Sequence, residues 1–217
     1  MFVGVIQEVG QVKEKTIENN KINIYIQVNM LSKELEIGNE VNINGLSFVV
    51  NEVGENYFKG TGNLSIMVNE NVENLEAGSP VNLEKEVQPY RYKGNHVISG
   101  NINNIGEVIE ISQNKDSKKL RVKTIKDLHD YFKENKAIAI NGVSLTINKL
   151  DEDEIVIKIN EVIWQNTNLK HLSKGDKINI ETDIVGRYIG QIMDKQEEII
   201  EKKEMIKENL LNEDEQL

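Results

Sequence analysis

Two seven-residue segments carry the hydroxyl groups that could serve a binding or catalytic site. Residues 44–50 read NGLSFVV and residues 141–147 read NGVSLTI, so Val49 stands where the second segment has Thr146. Ser144 and Thr146 are two residues apart, and in a strand both hydroxyls therefore face one side of the sheet. They can hydrogen-bond a shared ligand there, although serine and threonine are also ordinary strand residues.

The chain lacks the residues and motifs that most other kinds of reactive centre require. The absence of cysteine removes disulfides, thiolate metal sites and a cysteine nucleophile. There is no H-x-x-x-H motif, clustered carboxylate–histidine set or glycine-rich phosphate loop, so we expect neither a metal nor a cofactor. His129 and His171 are predicted surface residues without a role. His96 precedes a strand and is predicted to be structural or exposed, with at most a minor role.

Composition limits the partners of this 217-residue chain. A net charge of −10 argues against nucleic acid, whose phosphates need a basic surface. The first residues lack the pattern of a signal peptide, and no apolar run approaches the ~20 residues that span a bilayer. Together with the missing cysteine, this predicts a cytoplasmic protein that contacts no membrane.

The elements around the two segments are themselves repeated. Three pairs of blocks align in the same order: MFVGVIQEVGQV (1–12) with VISGNINNIGEV (97–108), VNINGLSFVVNEV (41–53) with IAINGVSLTINKL (138–150), and LEAGSPVNLE (75–84) with LSKGDKINIE (172–181). The last pair keeps a leucine, a glycine, an asparagine and a glutamate. Because chance does not align three ordered blocks, we interpret the chain as a tandem duplication. The predicted domains are 1–92, 97–185 and a C-terminal segment, 186–217.

Each copy has the pattern of β-structure. Stretches such as KINIYIQV and DEIVIKI alternate apolar and polar residues, and Gly, Asn and Asp clusters separate them, which is typical of a small barrel or sandwich. The repeated Asn-Gly step is either a type I′ turn or a place where backbone approaches a ligand closely. Within the copies, only residues 127–136 and a segment near 30–36 have a helical pattern.

The C-terminal segment has a different period. Apolar residues recur at steps of three and four from Val185 to Leu210, which predicts a helix with one apolar seam, interrupted at Lys203. The seam must be buried, either against other copies of the chain or by folding back on the barrels. We favour packing between copies.

These features together resemble one protein family. The opening MFVG, the duplicated NGxS motif, GNHVISGNI at the junction and the C-terminal helix are similar to the riboflavin synthase and lumazine protein family, from Met1 to about Met193. The resemblance implies an all-β fold of two six-stranded Greek-key barrels plus a C-terminal α-helix. It also implies a pocket for a ribityllumazine or flavin in each barrel, and a homotrimer.

The implied reaction explains the duplication. Two molecules of 6,7-dimethyl-8-ribityllumazine react to give riboflavin and 5-amino-6-(ribitylamino)uracil, a transferase reaction without a metal or redox cofactor. The family holds the reacting pair between the first barrel of one subunit and the second barrel of its neighbour. Holding two identical substrates face to face requires two similar pockets, and such positioning can be worth ~7–11 kcal/mol of barrier.

The resemblance also assigns site residues by alignment. In the second barrel they are Gly4, Val5, Ile6, Ser144, Leu145, Thr146, Ile159, Asn160, Glu161, Val162, Ile163 and Trp164. In the first barrel they are Ser47, Phe48, Val49, Thr61, Gly62, Asn63, Leu64, Ser65, Ile66, Gly100, Asn101 and Ile102, with Asn135 near a lysine of the family. Trp164 either stacks on the bound ring or fills the barrel mouth.

The first-barrel site departs from the catalytic members. They usually carry cysteine at Ser47, threonine at Val49, serine at Glu40 and histidine at Asn101, and also threonine at Val3. Asparagine cannot take up and return a proton near neutral pH as histidine can. We assign catalytic roles to Ser47, Asn101 and Thr146. A non-catalytic lumazine or flavin carrier is the alternative, because lumazine proteins show the same serine and asparagine.

Overall fold

The computed structural model describes residues 1–63, 70–87, 96–114, 116–124 and 132–182. Twelve strands lie within these residues: β1 (Glu8–Glu18), β2 (Lys21–Gln27), β3 (Glu40–Ile43), β4 (Leu46–Gly54), β5 (Tyr57–Asn63), β6 (Pro80–Lys85), β7 (Asn104–Asn114), β8 (Ser117–Lys123), β9 (Ala137–Ile140), β10 (Val143–Asp151), β11 (Glu154–Asn160) and β12 (Lys177–Thr182). Two short helices, α1 (Glu70–Glu73) and α2 (Glu161–Gln165), and two 3₁₀ turns, Leu31–Glu34 and Asn168–His171, accompany them. No helix among the described residues is long and apolar enough to cross a membrane.

The strands close into two antiparallel barrels with the same order. The first barrel runs β1-β2-β5-β4-β3-β6, and the second repeats it as β7-β8-β11-β10-β9-β12. Every barrel needs strong local bending, and bulges recur at equivalent places, after Val12 and Val108 and after Val50 and Ile147. The prediction of two duplicated six-stranded barrels is therefore confirmed.

Alternation along the strands places one face of each strand in a barrel core. In β2, residues Ile22, Ile24 and Ile26 are buried, and the residues between them are exposed or half-buried. Each barrel has its own apolar core, and a third small cluster of Phe2, Ile98 and Ala139 lies apart from both cores. The period-two pattern in the sequence thus identifies the core face of each strand.

The helices differ from the prediction. The segment near 30–36 forms the 3₁₀ turn Leu31–Glu34, but α1 and α2 also lie within the copies, so the expectation of only two helical segments was wrong. Both helices span less than two turns, too short for a helical period to appear in the sequence. Residues 132–136 of the predicted helical segment 127–136 form a turn and no helix. Residues 127–131 and the C-terminal helix predicted over 186–217 lie outside the described residues.

The repeated Asn-Gly steps are type I′ turns that lie against each other. Asn44 and Gly45 have φ of 52° and 92°, and Asn141 and Gly142 have φ of 46° and 77°. A Cβ added to Gly142 would lie 2.8 Å from the backbone nitrogen of Gly45. The close approach that requires glycine here is therefore made by the other barrel's turn.

Buried asparagines complete the junction between the barrels. Asn82 donates through Nδ2 to the carbonyl of Asn141 at 2.9 Å, and Asn179 donates through Nδ2 to the carbonyl of Asn44 at 2.7 Å. Asn168 adds a hydrogen bond between its Oδ1 and Asn82 Nδ2 at 2.8 Å. Because buried amides are costly unless hydrogen-bonded, this network fixes how the two turns meet.

Two short segments cross between the barrels. The first arm (residues 1–6) precedes β1, and the second arm (residues 98–102) precedes β7. Phe2 and Ile98 pair as an antiparallel bridge, with N···O distances of 3.1 and 2.9 Å. From this bridge, each arm continues to the outer face of the opposite barrel.

Candidate functional site

A cavity of about 530 Å³ opens on the outer face of the first barrel. We call it the first-barrel site. It is lined by Asn19, Asn20, Lys21, Ser47, Val49, Thr61, Gly62, Asn63, Gly100 and Asn101. The volume lies in the range of small-molecule sites. Seven of the residues predicted from the sequence are brought together here.

The first-barrel site includes three residues that sequence reasoning missed. Asn19 and Asn20 form the turn between β1 and β2 with positive φ, 50° and 62°, and Lys21 begins β2. Lys21 pairs with Asn63 across β2 and β5, which brings the turn to the site. The Asn-Asn step indicates a turn in the sequence, but nothing local shows which cavity the turn borders.

Strand parity decides which side chains face the cavity. Ser47 and Val49 point outward from β4, whereas Phe48 between them is fully buried in the first core. Ile102 is also buried in that core. Predicted contacts of Phe48 and Ile102 with a ligand are therefore limited to their backbone. The predicted residues Leu64, Ser65 and Ile66 lie outside the described residues.

Polar partners surround the hydroxyls of the first-barrel site. Ser47 donates to a carboxylate oxygen of Glu40 at 3.3 Å, across the β3–β4 pair. Thr61 donates to Asn23 Oδ1 and accepts from Asn51 Nδ2, both at 2.7 Å. Ser47 thus has a carboxylate beside it, and the Thr61 hydroxyl is held by two neighbouring amides.

The second-barrel site is built around Ser144 on β10. Ser144 and Thr146 face outward, half-buried and exposed, and Leu145 between them lies in the second core. The Ser144 backbone N–H donates to the carbonyl of Gly4 at 3.0 Å, so the first arm covers this strand. The Ser144 hydroxyl lies 2.7 Å from Nδ1 of His96.

His96 lies beside the serine of the second-barrel site. It is 8% exposed and its Nδ1 contacts the Ser144 hydroxyl, so it is buried and not exposed, and its minor role stays a prediction. The sequence signal was present in GNHVISGNI, but the contact is formed over 48 residues and depends on barrel packing.

The other second-barrel predictions divide by burial. Ile159 and Trp164 are buried with the second core, and Lys118 Nζ lies 5.7 Å from the Trp164 ring. Asn160 begins α2 by accepting from Ile163 N–H at 2.8 Å. Three of the remaining predicted residues are exposed: Val5 (65%), Val162 (71%) and Glu161. Ile6 and Ile163 are half-buried.

Asn135 occupies a turn before β9. Its φ is 63°, and its backbone N–H donates to the carbonyl of Ile147 at 2.7 Å. Two residues later, Ala137 pairs with Thr146. Asn135 therefore lies near Thr146 of β10. Its positive φ and its backbone hydrogen bond are explained by its place in a turn.

A buried carboxylate contacts each arm. Glu84 is 1% exposed and accepts the backbone N–H groups of Val3 and Gly4 at 2.8 and 2.9 Å. Burial raises the pKa of Glu84 to about 7, and the hydrogen bonds from the arm oppose that rise. Glu181, also 1% exposed, takes the equivalent position beside the second arm. The sequence blocks had shown this glutamate as repeated but without a role.

Within the described residues there is no group of three or more His, Cys, Asp or Glu side chains arranged to hold a metal ion. The polar groups at the two sites are instead hydroxyls, amides and single carboxylates, with the imidazole of His96 and the amine of Lys21. Such groups suit hydrogen bonding to the edge of a polar heterocycle.

Known proteins resemble the chain over most of its length. Residues 99–183 match the family described as Lumazine binding domain. Riboflavin synthase of Actinobacillus pleuropneumoniae is 30% identical over 193 residues, which are 89% of this chain and 90% of that protein. Riboflavin synthase of Bacillus subtilis is 25% identical, over 91% of this chain and 92% of that protein.

Solved structures give the same relationship. LumP complexed with 6,7-dimethyl-8-(1'-D-ribityl) lumazine superposes with a TM-score of 0.75 at 28% identity, covering 84% of this chain and 99% of LumP. LumP complexed with riboflavin superposes equally well, at 29% identity and with the same coverage. With the duplicated barrels and the 30% identity over 89% of the chain, these similarities show that the chain belongs to the riboflavin synthase and lumazine protein family.

Proposed function

We propose that this protein binds 6,7-dimethyl-8-ribityllumazine in both barrels and catalyses its dismutation to riboflavin and 5-amino-6-(ribitylamino)uracil. The observation that carries the proposal is the repeated site. In each barrel, an outward serine of the NGxS strand lies against a glycine of an arm, with Ser144 N–H bonded to Gly4 and Ser47 N–H bonded to Gly100. Two similar sites suit two copies of one substrate.

The sites assign roles to the outward side chains. In the second barrel, Ser144 and Thr146 hydrogen-bond the polar edge of the lumazine, and His96 orients the Ser144 hydroxyl. In the first barrel, Ser47 and Asn101 take this part at the cavity wall. Val49 offers no hydrogen bond where the second site has Thr146, which weakens ring binding by about 0.5–1.5 kcal/mol.

Proton transfer in the first-barrel site is proposed to use Glu40. The reaction begins with loss of a proton from the 7-methyl group of one lumazine, a group that is itself unusually acidic. Ser47 lines the cavity and donates to Glu40, so its hydroxyl can pass a proton to that carboxylate. Glu40, reached through Ser47, is thus the proton acceptor in this proposal, because the amide of Asn101 cannot accept a proton near neutral pH.

The reacting pair is proposed to lie between subunits, with the first barrel of one subunit facing the second barrel of its neighbour. The C-terminal segment then gathers three subunits. Positioning of the two rings supplies much of the acceleration in this proposal, since it replaces an encounter in solution by a fixed geometry.

A second function, that of a non-catalytic carrier of lumazine or flavin, is favoured by one observation. The three first-barrel residues Ser47, Val49 and Asn101 bring no titrating side chain to the cavity wall. The similar LumP structures were solved with lumazine and with riboflavin bound. A carrier would use the same two sites and leave the ligand unchanged.

Turnover distinguishes the two functions. Purified full-length protein is mixed with the lumazine, and riboflavin formation is followed by its absorbance, with Glu40→Gln as the variant. We expect riboflavin to accumulate well beyond the protein concentration, and the variant to be at least tenfold slower while still binding lumazine. Stoichiometric binding without product contradicts catalysis and supports the carrier.

A complementary test restores the side chains that catalytic members of the family carry in the first-barrel site. The double variant Val49→Thr with Asn101→His brings back the hydroxyl and the titrating imidazole that catalytic members carry. In a slow enzyme, this variant should raise the rate several-fold. No product from either protein, with lumazine bound by both, counts against the enzyme.

A further inference from the structure

The duplicated sequence block ends in a glutamate that is buried in each barrel and does not itself face a ligand. Glu84 lies in β6 and Glu181 in β12, at equivalent positions of the two barrels, and each is 1% exposed. A buried carboxylate is costly unless hydrogen bonds compensate for lost water. The contacts of this glutamate should therefore explain why both copies contain it.

Both carboxylates contact an arm in the same way. Glu84 uses its two oxygens for the consecutive N–H groups of Val3 and Gly4, at 2.8 and 2.9 Å. Glu181 accepts from the N–H and the hydroxyl of Ser99, at 2.6 and 2.7 Å, and from the N–H of Gly100 at 3.2 Å. In each copy, two successive backbone donors of an arm are satisfied by one side chain.

The contacted glycine of each arm also bonds the opposite site. Gly4 donates to Glu84 in the first barrel, and its carbonyl accepts from Ser144 in the second barrel. Gly100 donates to Glu181 in the second barrel, and its carbonyl accepts from Ser47 in the first. One glycine thus links each carboxylate to the ligand-facing strand of the other barrel.

The two arms are packed closely against the serine strands at Gly4 and Gly100, so they have little room to move. A Cβ on Gly4 would lie 2.5 Å from the Cβ of Ser144, and one on Gly100 would lie 2.9 Å from the Cβ of Ser47. Gly4 and Gly100 also have positive φ, 77° and 82°. A small shift of either arm would therefore move the outward serine or break its backbone hydrogen bond.

We propose that Glu84 is a positioning residue of the second-barrel site and Glu181 a positioning residue of the first-barrel site. Each site's affinity for its ligand then depends on a carboxylate carried by the other barrel. The part of this proposal that concerns affinity for lumazine rests on the proposed function. The positioning of the two serines is a property of the ligand-free protein.

The test compares Glu84→Gln with Glu181→Gln, each the control for the other. The amide keeps the shape of the side chain but replaces one acceptor oxygen by a donor, which faces an N–H of the arm. Hydrogen exchange of the Ser144 and Ser47 amides is measured by ¹⁵N NMR on deuterated, ligand-free full-length protein. Lumazine is then titrated while the same two resonances report each site separately.

The expected pattern is crossed. Glu84→Gln should speed exchange at Ser144 about tenfold and weaken lumazine binding there about tenfold, with Ser47 unchanged. Glu181→Gln should do the reverse. Changes confined to the barrel that carries the substitution, equal changes at both serines, or no change at either would overturn the proposal.

A milder variant covers the case in which a glutamate variant does not fold. Ser99→Ala removes one of the donors to Glu181 and leaves both carboxylates in place. It should speed exchange at Ser47 two- to threefold without affecting Ser144, and unchanged exchange at Ser47 counts against the proposal. Crossed exchange in a protein that binds no lumazine would support the positioning roles while rejecting the proposed function.

Discussion

The chemistry of individual residues separates the two sites, although their backbones are alike. Ser47 and Ser144 face outward at equivalent positions, but Val49 is apolar where Thr146 has a hydroxyl. The second site also has the imidazole of His96 beside its serine, whereas the first has the carboxylate of Glu40. The serine at the same strand position therefore has a different polar partner in each barrel.

The buried carboxyl of Glu84 should make the stability of the protein depend on pH. The pKa of Glu84 is about 7 against an ordinary 4.5, so the folded protein holds a proton between these pH values that the unfolded chain releases. Stability should therefore fall as pH rises from 4.5 to 7, by on the order of 3 kcal/mol, and then level off. Glu84→Gln should remove this dependence in denaturant unfolding measured from pH 4.5 to 8.

Val3→Thr gives the complementary change. Ser99, at the equivalent position of the second arm, donates a hydroxyl to Glu181, and a threonine at position 3 would offer Glu84 the same donor. We expect a lower pKa of Glu84, and the stability gained by the substitution should be about 1 kcal/mol larger at pH 8 than at pH 5. Val5→Thr, on an exposed side chain, is the control, and an equal effect from it would contradict the assignment.

At the scale of elements, the Asn-Gly turns decide how the barrels join. The Asn-Gly pair in the sequence predicts a type I′ turn because both positions tolerate positive φ. That the two turns would face each other could not be predicted, since no local pattern specifies which surface a turn meets. The asparagines that surround the turns are likewise ordinary polar residues until the fold buries them.

Gly142→Ala should reveal this contact. Alanine with positive φ costs about 1 kcal/mol by itself, and the overlap with Gly45 adds about 2 kcal/mol of strain. Gly175→Ala is the matched control, because Gly175 also has positive φ, 96°, but no atom lies within 4 Å of an added Cβ. Urea unfolding should show about 3 kcal/mol lost in the first variant and about 1 in the second. Equal losses would mean that the turns do not constrain each other.

At the scale of the whole molecule, the duplication yields one unit. The described parts of the two barrels share the bridge between Phe2 and Ile98, the facing turns and the asparagine network. Residues 1–183 form a single compact unit by their contacts. The barrels should therefore unfold together.

Assembly is the prediction that belongs to this scale. The apolar seam from Val185 to Leu210 is proposed to pack between copies, and sedimentation equilibrium of the full chain should give about three times its mass of 24.7 kDa. Ile192→Glu places a charge in the seam and should lower the mass toward that of one chain. A full-length protein that sediments as a monomer contradicts the trimer and the intersubunit site with it.

The sequence by itself determined the duplication, the barrel strands and the outward face that carries Ser47 and Ser144, because these follow from spacing along the chain. Its resemblance to a family also paired Gly4 with the second barrel and Gly100 with the first. Only the tertiary structure decided that residues 19–21 border the first-barrel site, that His96 meets Ser144, and that Glu84 and Glu181 hold the arms. Spacing determines which way a side chain points, whereas the group it meets is set by segments about 50 to 80 residues away.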